Sequence, residues 1–79
     1  MNNLDKYKKA FVEGLSVEES KINDNLKYND IPEWDSIGHM TLMSNLEEAF
    51  KVTLETDDIV DFSSFKKGKE ILNKYKINF

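Results

Sequence analysis

Asp35, Ser36 and His39 are the residues whose types and spacing come nearest to chemistry in this chain. Ser36 falls where a polar stretch gives way to an amphipathic one, Trp34-Asp-Ser-Ile-Gly-His-Met-Thr-Leu-Met-Ser-Asn-Leu-Glu-Glu-Ala-Phe50. A serine opening a helix stands among backbone N–H groups that lack intrahelical partners, at the positive end of the helix dipole. Both favour an attached anion. A serine and a histidine this close also raise nucleophilic catalysis. On a helix, however, His39 turns toward the apolar stripe, and neither an oxyanion hole nor a third, orienting group is evident. His39 is therefore read as a partly buried structural residue, and a serine hydrolase as a remote rival. Ser36 is read as a serine that receives chemistry and does not perform it; the plain competitor is an ordinary helix cap.

The acids Asp57, Asp58 and Asp61 do not have the spacing of a dedicated calcium loop. They are read as compensation for a helix dipole, and no metal site is expected. Charge is uneven along the chain. Residues 26–61 hold nine acids and two lysines, a net of −7, whereas residues 62–79 hold one acid and five lysines, a net of +4. The acidic centre surrounds Ser36, so a partner approaching it should be basic there. All eleven basic residues are lysines, which removes the arginine fork that suits phosphates and guanine edges. The lysines near the C-terminus read as a solvated helix face, and nucleic acid is not an expected partner.

These residues need a scaffold, and the sequence describes a small one. Seventy-nine residues without cysteine make a single domain over 1–79, stabilised by packing alone. No run is long enough for a membrane span, and the N-terminus does not resemble a secretory signal, so a cytoplasmic monomer is expected. Leu4, Tyr7, Phe11, Val12 and Leu15 recur at helical spacing and predict a first helix over residues 3–14, with Gly14 weakening its end. Ser16-Val-Glu-Glu19 has the form of a capping box and predicts a short turn. A long polar connection follows to Trp34, pinned by Ile22, Leu26, Tyr28 and Ile31. Trp34 itself is read as core packing in preference to a partner contact.

The second helix is predicted over residues 36–50. Its core face holds His39, Leu42, Met43, Leu46, Ala49 and Phe50. The opposite face carries Ile37, Met40, Thr41, Ser44, Glu47 and Glu48, a mixed surface read as a docking face. Thr56 is expected to cap a short third helix, and Ser63 or Ser64 a fourth with Phe65, Gly68, Ile71, Leu72 and Tyr75 inward. Gly68 costs a helix about 1 kcal/mol against alanine, which predicts a close contact there. The fold class is all-α, a four-helix bundle with a long first loop and a short third helix.

In this order the features resemble the acyl carrier protein family, over roughly residues 4–75. The specific part is Asp35-Ser36-Ile37 followed by Leu42, Leu46-Glu47-Glu48 and Phe50, which is similar to the family's Asp-Ser-Leu motif and second helix. The resemblance implies a non-catalytic carrier. Ser36 would be the attachment residue for phosphopantetheine, taken from coenzyme A by a magnesium-dependent phosphopantetheinyl transferase, with Asp35 helping to present it. The terminal thiol of the arm would hold an acyl group as a thioester for enzymes with basic docking patches, in fatty-acid, polyketide or related biosynthesis. Trp34 and Gly38-His39 look more like specialised, stand-alone or peptide-assembly carriers, so an aminoacyl or peptidyl carrier is the nearest alternative. An unmodified helical scaffold is the alternative from another class.

Overall fold

The first helix, α1 (Asn3–Leu15), begins where Asn2 accepts a hydrogen bond from the Asp5 amide at 2.8 Å. It runs through Gly14 and stops at Ser16, which adopts a left-handed conformation (φ 56°). That conformation removes Ser16 from any capping box. The short turn that follows is a 3-10 turn, Glu19–Lys21, entered from Glu18 without a side-chain cap. The computed structural model describes residues 2–79, and the remaining helices are α2 (Ser36–Phe50), α3 (Thr56–Asp61) and α4 (Phe65–Asn73). Thr56 is the first residue of α3 and not its cap; Glu55 holds the cap position without a side-chain bond. Ser64 caps α4 and accepts from the Lys67 amide at 2.9 Å. No strand forms among the described residues, and Val52-Thr53-Leu54 stays irregular.

The chain is all-helical and compact, with a radius of gyration of 11.1 Å; a folded chain of this length should have about 11.6 Å. Its centre is aromatic. Tyr7, Phe11, Trp34, Phe62 and Phe65 are fully buried, and α2 contributes Leu42, Met43 and Leu46. Full burial of each such side chain favours folding by about 1.5–3 kcal/mol. Phe11 meets Trp34 edge-on at 5.3 Å between centroids and Phe65 at 5.0 Å. The Tyr7 hydroxyl donates to the Phe65 carbonyl, and burial pushes its phenol far above the usual tyrosine range. Gly68 is buried under these rings: a Cβ there would collide with the Phe62 ring and the Tyr7 hydroxyl. The close approach expected at Gly68 is thus to two aromatic side chains, one of them on α1.

The long connection crosses this core and is tied to the far end of the chain. Ile22, Leu26 and Trp34 are buried along it, with Tyr28 and Ile31 half-buried. The Phe65 amide donates to Leu26 O and the Tyr28 amide to Ser63 O, both at 2.9 Å. These bonds flank an isolated antiparallel bridge between Lys27 and Ser64. The loop that leads to Ser36 is thereby fastened to the junction between α3 and α4.

Candidate functional site

Ser36 is exposed and is the first residue of α2. Asp35, in extended conformation, caps the helix: its Oδ1 accepts from the Gly38 amide at 2.8 Å, while its carbonyl takes the His39 amide at 2.7 Å. Asp35 therefore acts on Ser36 through the backbone, by fixing where the helix starts. The approach to it is a tight turn in which Trp34 N donates to Ile31 O at 3.1 Å and Asn29 N to Trp34 O at 3.1 Å. Gly38 makes that turn possible. A Cβ on it would strike the Glu33 carbonyl oxygen and come within 3.3 Å of the Leu15 side chain. The Ser36 Oγ lies 3.3 Å from the Tyr28 hydroxyl.

His39 is half-buried behind the serine, and both of its ring nitrogens have partners. Nδ1 accepts from the Trp34 indole N–H at 3.0 Å, and Nε2 donates to the Ile59 carbonyl at 2.8 Å. An indole nitrogen only donates and a carbonyl only accepts, so the pair selects the neutral Nε2–H tautomer. Neither nitrogen is free to serve Ser36 as a base. His39 instead links the loop at Trp34 to α3. Trp34, fully buried, presents nothing to a partner.

A cavity of about 360 Å³ opens beside Ser36, between α2 and α3. Met40, Ile59, Val60 and Phe62 form its apolar wall, and Tyr28, Ser36, His39 and Ser63 supply its polar atoms. Two of the wall residues are largely exposed, Met40 at 55% and Val60 at 74%, and Ile37, next to Ser36 in the chain, is 79% exposed. Val60 escaped the sequence reading. The short helix α3 carries the adjacent apolar pair Ile59-Val60, of which Val60 is the exposed member. The cavity role of Tyr28 had no signal in the sequence, because a loop residue carries no periodicity. Asp30, Glu33 and Asp35, in the turn that leads to Ser36, are exposed, as are Glu55, Asp57 and Asp61 of the α3 segment.

The predicted docking face does not hold together along its length. Ile37, Met40, Thr41 and Ser44 are exposed, with the Thr41 hydroxyl turned back onto the Ile37 carbonyl at 3.2 Å. Glu47 is half-buried, and its Oε2 accepts from the buried Leu54 amide at 2.8 Å. Its carbonyl also receives the Lys51 and Val52 amides, so Glu47 closes the end of α2. Glu48 is exposed but turns toward α1, where it lines a second cavity of about 300 Å³ with Lys6, Lys9 and Glu13. Asp58 stands in the first turn of α3, as expected, and has further partners. It is 6% exposed and receives hydrogen bonds from Lys74 Nζ and the Tyr75 hydroxyl, both at 2.5 Å. Those two bonds hold its carboxyl below the usual aspartate range, and the bond to Asp58 raises the Tyr75 hydroxyl above the tyrosine range. Among the described residues no group of acids or histidine converges on a metal-sized point. No family model matches the chain, and no solved structure matches it.

Proposed function

We propose that this chain is a four-helix-bundle acyl carrier protein, the substrate of a phosphopantetheinyl transferase and not itself a catalyst. The observation that carries the reading is Ser36: exposed, first in a capped helix, and on the lining of an apolar cavity shared with Met40 and Val60, with the exposed Ile37 next to it in the chain. The fit to a phosphopantetheine arm is chemical. The opening amides of α2 lack intrahelical acceptors and suit a phosphodiester, and the neighbouring wall is apolar. Ser36 Oγ would form the bond to the β-phosphorus of coenzyme A. Its proton leaves to the transferase or solvent, and adenosine bisphosphate departs with the electrons of the broken P–O bond. When bound, the arm supplies a thiol for a thioester. Covalent tethering then gives a cargo high effective concentration at each partner's site.

Partners would meet Ile37, Met40 and Val60 as the apolar centre, with Thr41 and Ser44 further along α2 and the surrounding acids favouring a basic rim. Met40, unbranched and adaptable, suits a surface that must fit several enzymes in turn. An aminoacyl or peptidyl cargo uses the same residues.

Incubation with coenzyme A, magnesium and a broad-specificity transferase should add one phosphopantetheine to the wild type and none to Ser36→Ala. Circular dichroism should show the same helical fold in both. Serines 16, 20, 44, 63 and 64 remain as internal controls. Addition to the alanine variant, or none to the wild type with several transferases, favours the unmodified scaffold.

A further inference from the structure

We infer that Tyr28 is the positioning residue for modification at Ser36, holding the serine oxygen before transfer and hydrogen-bonding the phosphodiester afterwards. This inference rests on the carrier reading above. Three observations place Tyr28 in that role. Its hydroxyl is 3.3 Å from Ser36 Oγ and has no other hydrogen-bond partner among the described residues. Its ring is gripped on edge by Trp34, at 6.1 Å between centroids, and by His39, at 5.5 Å. Its amide donates to Ser63 O at 2.9 Å, so the backbone is held as well. The phenol is thus a rigid arm on a long loop that would otherwise have no reason to point a polar group at the helix start.

The chemistry changes on loading in a way that suits a phenol. Before transfer, tyrosine and serine hydroxyls can each donate or accept. Once Oγ is esterified it has no hydrogen, and Tyr28 must be the donor. The nonbridging phosphate oxygens lie two bonds from Oγ, within hydrogen-bond reach of a hydroxyl placed 3.3 Å from it. A bond to an ionised oxygen is about twice as strong as a neutral one. The contact therefore tightens as the negative phosphodiester forms.

Tyr28→Phe removes the hydroxyl and keeps the ring. We expect kcat/KM for loading to fall about three- to tenfold, the usual effect of one hydrogen bond, carried by kcat. KM for the carrier should stay unchanged, because Ile37 and Met40 are untouched. The phosphorus-31 resonance of the loaded variant should move away from that of the loaded wild type, a readout independent of transfer rate. A second measurement needs no loading: in the free protein, Ser36→Ala should shift the carbon-13 resonance of Tyr28 Cζ. A normally loaded wild type with an identical phosphorus resonance and rate in Tyr28→Phe overturns this inference alone. So does an unmoved Cζ resonance. Failure of the wild type to load overturns the carrier reading and this inference with it.

Discussion

Replacing His39 with leucine tests whether the loop and α3 are joined through the imidazole. The substitution strands one group and weakens the bonding of another. The Trp34 indole N–H, on a residue with no exposed surface, loses its acceptor; a buried unsatisfied donor costs about 1–3 kcal/mol. The half-buried Ile59 carbonyl loses its shorter hydrogen bond and keeps the Phe62 amide at 3.4 Å, a loss of up to about 1 kcal/mol. Added apolar burial returns about 1 kcal/mol. The net loss is about 1–3 kcal/mol, against a total of about 4–12 kcal/mol for a chain of this length. At about 4–8 °C per kcal/mol, Tm should fall by about 4–24 °C. His39→Gln keeps one acceptor and one donor on a flexible arm and should recover part of the loss. In a Trp34→Phe background no indole N–H remains to strand, so the cost of His39→Leu should shrink by about 1 kcal/mol or more. Circular dichroism melts and urea titrations read all of these. A leucine variant that melts with the wild type, or strict additivity in the cycle, refutes the bridge. A folded leucine variant should still be loaded at Ser36, since neither imidazole nitrogen faces that hydroxyl.

Glu47 and Glu48 should behave as different kinds of residue. Glu47→Lys should lower stability by about 1–3 kcal/mol in urea titrations through loss of the bond to the Leu54 amide, whereas Glu48→Lys should leave Tm within the effect of an exposed charge, about 0–1 kcal/mol. Asp58 carries the acid sensitivity of α3. Its folded pKa is lowered by Lys74 and Tyr75, so its contribution is complete above the unfolded value of about 3.9 and is lost as pH falls from there through the lower folded value. Asp58→Asn should reduce Tm at neutral pH and flatten its decline across that acid window; an unchanged slope would place the sensitivity elsewhere.

The helices were legible because their signals are local. Asn2 and Ser64 cap where short polar side chains reach back to free amides, and α2 covers the residues that its apolar stripe marks. Boundaries failed where the cue was a side chain whose backbone had another role. Ser16 has the type for a cap but is turned left-handed to end α1, and Thr56 lies one residue inside the helix that it was expected to start. The placement of Ser36 at the start of α2 was legible from the sequence alone. Its surroundings were not: Tyr28, Ile59, Phe62 and Ser63 come from a loop, a six-residue helix and a junction, and only tertiary folding brings them to one cavity. A helical wheel likewise puts Glu47 on the outer face. It has no means of anticipating that the next loop would fold back and offer Glu47 an amide.

The way α3 is held explains why the cavity beside Ser36 depends on polar contacts. Six residues are too few for a helix to persist in water without tertiary support. Its support comes from Phe62 in the core at one end, from Asp58 bonded to Lys74 and Tyr75, and from the Ile59 carbonyl bonded to His39. Ile59 packs partly against the core and lines the cavity, and Val60 faces the cavity and solvent. Filling that gap with larger apolar side chains would anchor α3 more firmly, and it would remove the space next to the serine. Directional bonds from α2 and from the end of α4 keep the helix in place at a distance from Ser36, and the cavity wall remains open. Trp34 extends the same chain of contacts to the loop, because the imidazole that holds Ile59 is itself oriented by the indole. The residue most easily mistaken for a catalyst is thus the one that sets the spacing between the serine's helix and the wall opposite it.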